Sequence, residues 1–278
     1  MKKRDISVVI CVKNRANLLE RLLKSLQNHE RVLEIIVVDG NSTDSTLEIA
    51  KRYTKRVYSD NGRGLATARN IGLIHARGDY IAFIDSDVEL PNNYVLSELV
   101  NELEKKKWEG IHAKIISSKT QTLLEFCEDI HLKYRLNQAK KIERLPLSAA
   151  IIKREAALNV KFDPYFSIAA EDSDFWVRFR KKGYKYGVSE NVVVYHSHRA
   201  SLREFIKQKI GFGRGRCRFV TKHGRIVWLL TPLGLIPYGI LVTTLCKKCR
   251  KCIGYYLLYA LTQTYGILLE AMNIIFKK

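Results

Sequence analysis

Four groups of side chains in this sequence have types and spacings suited to chemistry on a phosphate or a hydroxyl. Asp39 closes one apolar run and Asp85-Ser86-Asp87 closes another. Glu171-Asp172-Ser173-Asp174 forms a second acidic cluster, and His196 and His198 follow a third apolar run. Two carboxylates one residue apart at a strand end can hold a hard cation and let it bridge diphosphate oxygens, as Mg2+ or Mn2+ does. The same pair can equally cap a turn, and Asp39 by itself can cap a loop as well as meet a ligand. Glu171 and Asp172 open a helical stretch, where unpaired backbone N–H groups and the helix dipole favour carboxylates, so they read either as caps or as proton acceptors. His196 and His198 point the same way if the preceding strand runs on through them. Arg69 carries a planar guanidinium that can grip a phosphate with two prongs, or can simply sit on a helix surface.

These groups need elements to position them. Ile6–Val12 is a β-branched run, followed by Leu18, Leu19, Leu22, Leu23 and Leu26 at helical spacing over 17–27. A second strand is predicted at 33–38, a helix from Asp44 onward, a short strand at Val57 and Tyr58, a helix at 65–76 and a fourth strand at 80–84. Strands alternating with helices of this length require an α/β fold with a mostly parallel sheet, whose ligands bind beyond the carboxyl ends of the strands. That topology brings Asp39, Asp85 and Asp87 to one edge. Further along, helices are predicted at 93–106, 121–135, 171–182 and 202–210, and strands at 147–152 and 192–195. Arg214, Arg216 and Arg218, spaced by Gly215 and Cys217, read as a basic loop.

Beyond Arg225 the character changes. Residues 226–246 carry no charge and 253–276 are nearly as apolar apart from Gln263 and Glu270, each run long enough for a hydrocarbon core of about 30 Å. Pro232 and Pro237 could break the first, and a crossing pair would leave Lys247, Lys248, Arg250 and Lys251 on the far side, against the positive-inside bias. An interfacial or re-entrant pair keeps them cytoplasmic. The expected organisation is therefore a domain over 1–225 and a hydrophobic, membrane-associated helical segment over 226–278. From Arg199 onward there are 15 Lys and Arg against Glu204 and Glu270, within a chain of net charge +20. That excess points to anionic lipid, with a merely solvated face as the competing reading; no nucleic-acid signature accompanies it. The start runs straight into a strand with no small-residue cleavage site, which predicts a catalytic part on the cytoplasmic side. Cys11, Cys127 and Cys217 are scattered, as suits a reducing compartment. Cys246, Cys249 and Cys252 lack the fourth ligand and trailing proline of a ferredoxin-type run and are expected to pack or to accept a lipid.

The order of the motifs carries a resemblance. Ser7-Val8-Val9-Ile10 with Lys13-Asn14-Arg15, then Val37-Val38-Asp39-Gly40-Asn41-Ser42-Thr43-Asp44, then Gly64 with Ala68-Arg69-Asn70-Ile71-Gly72, then Gly78-Asp79-Tyr80 through Asp85-Ser86-Asp87 resembles the family 2 glycosyltransferases of the GT-A fold. The likeness continues more weakly through Glu171-Asp172-Ser173-Asp174 to Val194-Tyr195-His196 and does not cover the last 50 or so residues. It implies an inverting transfer of a sugar from a UDP- or GDP-linked donor to an acceptor hydroxyl, with Mg2+ or Mn2+ as cofactor. Carried over by position, it puts Asp39 at the nucleotide base, with Val12, Asn14 and Arg15 lining that pocket. Arg69 falls near the phosphates, Asp85 and Ser86 at the nucleotide sugar, and Asp87, Asp85 and His196 at the metal. Asp172 is implied as the catalytic base, with Glu171 second and Asp174 as a brace or an acceptor contact. The Gln-x-x-Arg-Trp motif of processive synthases is absent, which favours one sugar added at a time. With the apolar, basic tail, the acceptor is expected to be a lipid-linked or cell-surface glycan. A polyprenyl-phosphate sugar synthase is the near alternative, and a non-catalytic basic membrane-binding protein the distant one.

Overall fold

The computed structural model describes residues 5–118, 120, 122–137, 145–198, 201–224, 226–245 and 247–276; residues 1–4 and Cys246 lie outside them. In chain order the first elements are β1 (Ile6–Val12), α1 (Ala16–Leu26), β2 (Val32–Asp39), α2 (Thr46–Tyr53), β3 (Val57–Ser59), α3 (Leu65–His75) and β4 (Tyr80–Ile84). There follow β5 (Val88–Glu89), α4 (Val95–Lys105), β6 (Gly110–Ser117), α5 (Leu123–Asn137), β7 (Ala149–Lys153), α6 (Arg154–Val160), α7 (Glu171–Lys181) and β8 (Tyr186–His196). The last are α8 (Leu202–His223), α9 (Thr231–Leu245) and α10 (Ile253–Phe276), with 3-10 turns at Ile226–Leu230 and Lys247–Cys252. The chain divides into two compact units: Met1–Ser118, Leu136–Ser167 and Asp172–Ser197 in the first, Lys119–Arg135, Ile168–Glu171 and His198–Lys278 in the second.

The first unit is built on one sheet in the order β3-β2-β1-β4-β7-β6-β8-β5. Pairing is parallel from β3 to β4 and between β6 and β8, and antiparallel where β7 joins β4 to β6 and where β5 joins β8. The central strands are buried on both faces, through Val8 and Val9, Val37 and Val38, and Ala82 and Phe83, which is why their sequences run apolar without alternation. α3 lies directly on β1, since a methyl group on Gly72 would overlap the Val9 side chain. α7 is anchored by rings: Phe162 stacks on Phe175 at 4.6 Å and Trp176 on Tyr186 at 4.4 Å. β8 begins six residues before the predicted 192–195, while β5, β6 and α6 have no predicted counterpart.

In the second unit, α8 is one helix of 22 residues where sequence patterning predicts nine residues of helix and then a basic loop. Two of its three glycines, and one on α10, sit where other backbone comes too close for a side chain. A Cβ on Gly213 would run into the Gln263 carbonyl, one on Gly266 into the Ile210 carbonyl, and one on Gly215 into Ala169. Arg214 and Arg218 are not loop cations; each donates from Nε to Glu270 at 2.6 Å. The uncharged 226–246 run does not form one long helix, because a 3-10 turn precedes α9, which is 15 residues long with Pro237 inside it. Among the described residues no helix is long and apolar enough to cross a membrane. Cys127 and Cys252 are joined as a disulfide, Cα to Cα 5.5 Å, so Cys127 is not the scattered thiol expected and Cys252, though packed, is not open to a lipid. A separation of 125 residues gave no hint that α5 would lie beside the start of α10. Cys249 is also disulfide-bonded, and Cys11 and Cys217 take part in no disulfide.

Candidate active site

The carboxyl ends of β1 and β2 are laced together. Val12 pairs with Asp39 across the two strands, and the Gly40 N–H donates to the Val12 carbonyl at 2.8 Å. The Asn14 N–H donates to Ser42 Oγ and the Arg15 N–H to Thr46 Oγ1, both at 2.9 Å, while Asn14 Oδ1 accepts from the Thr43 N–H at 2.8 Å. Asp39 Oδ2 accepts the Ser42 N–H at 3.0 Å, which leaves Oδ1 buried with no protein hydrogen bond. A buried carboxylate oxygen without a donor is costly unless a ligand supplies one. Each of the three strand-end loops turns through an asparagine in the left-handed region, Asn14 (φ 51°), Asn41 (φ 63°) and Asn61 (φ 54°), a conformation asparagine tolerates better than most residues. The third loop is organised by Asp60, whose carboxylate accepts from Gly62 N–H at 2.7 Å and Gly64 N–H at 3.0 Å and so sets the entry to α3. Asp60 was not among the expected residues, although the turn-forming run Asp60-Asn61-Gly62-Arg63-Gly64 carries its signal.

Next to this pocket lies the acidic cluster. The Asp85 N–H donates to the Ser148 carbonyl at 2.9 Å, which fixes the chain as it leaves β4. Ser86, nearly buried, and Asp87 turn the chain into β5, which pairs with β8 so that Val88 faces His196. His196 Nε2 comes within 3.2 Å of Asp87 Oδ1, an oxygen that is itself buried. Arg69 is buried, with Nη2 3.6 Å from Asp85 Oδ1 and its guanidinium over the Phe162 ring at 5.7 Å. Asn70 holds that ring's backbone in place by exchanging two hydrogen bonds of 2.8 Å with Phe162. Asp172, second residue of α7, takes the Ser173 N–H on Oδ1 and stands close enough to Asp85 for the two charges to repel.

The electrostatics follow from that crowding. Burial raises the Asp85 carboxyl above its ordinary value; Arg69 and His196 oppose the rise, and Asp87 and Asp172 add to it. Its side chain nonetheless keeps 38% of its surface open to solvent, as expected at the floor of a recess. Burial works in the same direction on Asp87, but His196 beside it, its own backbone N–H and Arg15 outweigh burial and hold that carboxyl below the usual range. Two carboxylates pushed apart in this way, with the charge of Asp172 also felt at Asp85, form a site that a divalent cation would relieve. Among the described residues no three His, Cys, Asp or Glu side chains already converge as ligands. Asp87 Oδ1, buried beside an imidazole nitrogen 3.2 Å away and next to the partly open Asp85, fits Mg2+ or Mn2+ bound by one or two carboxylates, with substrate phosphate and water supplying the rest.

Other expected residues take different places. Asp174 is fully buried and accepts Arg178 Nε at 2.7 Å, so it braces α7. Glu171 is buried at the first position of α7 and is grouped with the second unit, as is His198. His112 on β6 was not anticipated. Its Nε2 accepts the Ala149 N–H at 3.3 Å, one residue from the Ser148 carbonyl that holds Asp85, and burial lowers its pKa to about 4.

The sequence model of Glycosyl transferase family 2 matches residues 7–160, more than half of the chain and both of the laced loops with the Asp85-Ser86-Asp87 turn. The chain is a family 2 glycosyl transferase. Relatives of this glycosyl transferase include the pre-mycofactocin glycosyltransferase of Mycobacterium tuberculosis, 29% identical over 234 residues, which cover 79% of this chain and 48% of that protein. Another is a dolichyl N-acetyl-alpha-D-glucosaminyl phosphate 3-beta-D-2,3-diacetamido-2,3-dideoxy-beta-D-glucuronosyltransferase of Methanococcus voltae, 23% identical over 85% of this chain and 78% of that protein. The chain spans about half or less of the length of the first curated relatives it matches. Among solved structures, a mannosyltransferase of Pyrobaculum calidifontis in complex with GDP-Man and Mn2+ superposes with a TM-score of 0.68 at 18% identity, covering 96% of this chain and 87% of that one. At that identity the likeness establishes the fold of this glycosyl transferase.

Proposed function

We propose that this glycosyl transferase moves a sugar, with inversion, from a UDP- or GDP-linked donor to a hydroxyl of a lipid-linked or cell-surface glycan, on the cytoplasmic side of a membrane contacted through residues 226–278. The observation that carries the reading is the edge at which Asp85 meets buried Arg69 at 3.6 Å and Asp87 meets His196 at 3.2 Å, the same edge at which β2 ends in the buried Asp39. Asp39 Oδ1 is the free acceptor for an N–H on the base, with Val12, Asn14 and Arg15 around it. Arg69 and Ser86 lie toward the phosphates and the sugar. Asp85, Asp87 and His196 would hold Mg2+ or Mn2+, which when bound supplies positive charge to the departing diphosphate. Asp172 accepts the proton of the acceptor hydroxyl as its oxygen bonds to the anomeric carbon and the bond from that carbon to the diphosphate breaks. The dolichyl-linked substrate named for the Methanococcus voltae relative supports the lipid-linked choice.

The test is nucleoside diphosphate release from a panel of UDP- and GDP-sugars with Mn2+ or Mg2+ and a polyprenyl-linked sugar acceptor. Asp87→Ala is expected to abolish metal-dependent donor binding. Asp172→Asn should keep donor binding and lose transfer by about 10²–10⁴-fold, the usual worth of a positioned base. Full transfer by Asp172→Asn to a polyprenyl phosphate, an acceptor that needs no base, would move the assignment to a polyprenyl-phosphate sugar synthase. No turnover with any donor, together with an Asp87→Ala variant that binds nucleotide and metal as wild type does, would refute the enzyme reading.

A further inference from the structure

α10 is apolar on both faces: Tyr255, Tyr256, Tyr259, Ala260 and Ile267 are buried, yet an equally apolar row is exposed. The buried face also takes in Thr262, Gln263 and Glu270, with Glu270 held by Arg214 and Arg218 of α8. Its outward face shows Leu257, Leu261, Tyr265, Leu268, Met272 and Ile275, which follow one another at steps of three and four and therefore form a single stripe. Leu261, in the middle of it, is 67% exposed. α9 adds exposed Leu233, Ile240 and Leu241 to the apolar surface of the same unit. A contiguous apolar surface of this kind on a folded protein marks an interaction site rather than ordinary exposure.

We infer that α10 lies flat in the interface of an anionic lipid bilayer, with this stripe inserted among the acyl chains near the headgroups. The inference deepens the proposal of a lipid-linked acceptor and rests on it for its purpose, though not for its geometry. Charge decides between a bilayer and a second copy of the chain. The region from Arg199 onward has 15 Lys and Arg against two glutamates, and Arg203, Lys207, Lys222, Arg250 and Lys251 are exposed on the unit that carries the stripe. Two such surfaces repel one another, whereas anionic headgroups attract them. The orientation follows from the buried face: Gln263 and Glu270 are committed to packing against α8, so the helix can offer hydrocarbon only one side and cannot span. At about 1.5 Å per residue the 24 residues give a footprint about 36 Å long.

The experiment is flotation of the full chain with vesicles of phosphatidylcholine, with and without phosphatidylglycerol, at low and high salt. Wild type is expected to float with the anionic vesicles, more weakly as salt rises. Leu261→Glu/Leu268→Glu should lose at least tenfold in partition while keeping wild-type circular dichroism and wild-type nucleotide release in the absence of vesicles, and Leu261→Met should float as wild type does. Wild type that stays in solution, or a double variant that floats unchanged, overturns the inference. A wild-type dimer that the double variant converts to monomer in sedimentation assigns the face to a second copy and also overturns it. Flotation with no nucleotide release would instead remove the enzymatic reading and leave the interfacial helix standing.

Discussion

Acidification should weaken the sheet unit through His112, by an amount that can be worked from its surroundings. The imidazole is 1% exposed, Nε2 accepts the Ala149 N–H, and Nδ1 lies 2.6 Å from the Ala113 carbonyl, which makes it the protonated nitrogen of a neutral ring. A second proton on Nε2 would set N–H against N–H in a buried place. Burial accordingly lowers the pKa from 6.5 to about 4. The folded state therefore holds the ring neutral where the unfolded chain takes up a proton, so the contribution is complete above about pH 6.5 and is lost as pH falls toward 4. Between neutral pH and about pH 4.5 that shift amounts to about 2–3 kcal/mol, at 1.36 kcal/mol per unit. The assay is urea unfolding of wild type and His112→Gln at both pH values. The variant does not serve as a reference for absolute stability, because losing the Ala149 hydrogen bond itself costs about 1 kcal/mol; the measured quantity is the pH-dependent difference between the two proteins. His29, lowered to about 4 by burial, shifts both proteins alike and cancels. Equal losses for wild type and variant would refute the reasoning.

Three further outcomes are expected. Cys127→Ser, compared with the oxidised protein, should lower the stability of the helical unit by about 5 kcal/mol, the chain-entropy worth of a bridge across 125 residues, and should match wild type once dithiothreitol has reduced the bridge; urea titration reads both. Gly213→Ala should destabilise the same unit by about 1–3 kcal/mol or more because the new methyl meets the Gln263 carbonyl, whereas Gly234→Ala on α9, with nothing within reach, should be neutral or stabilising in thermal melts. Arg69→Lys keeps a charge but loses the planar fork beside Asp85, and is expected to raise the KM for donor about tenfold, with a smaller change in kcat, in steady-state kinetics.

Where local pattern and tertiary placement agree, the fold could be read in advance. β1 and β4 have the predicted limits, and the first three helices start within two residues of them, because β-branched runs and leucines at helical spacing are buried as their patterns require. Asp39, Asp85 and Asp87 share an edge because parallel strands must end on the same side. The failures have one cause, contacts remote in sequence. Gly211, Gly213 and Gly215 look like loop residues, since glycine is a poor helix former, yet α10 and the 168–169 backbone approach so closely that only glycine fits at two of the three positions. β6 and the full length of β8 define one another by parallel pairing from Gly110 with Tyr186 onward, a match that neither segment reveals alone. The turn at Asp60 is legible in its neighbours, but the tie from its carboxylate to two glycine N–H groups depends on how the loop closes in three dimensions. The His112 acceptor role depends on Ala149, 37 residues away, and nothing in the sequence joins them.

The stitching of the loops after β1 and β2 has a kinetic meaning. Ser42, Thr43, Asp44, Thr46 and Asn14 already hold one another before any nucleotide arrives, so the conformational entropy of that wall is lost during folding and not again on association. Encounter with the base half of a donor should then resemble docking to a rigid mould, with an on-rate governed by diffusion and charge and little change in amide protection along residues 12–16 and 39–46.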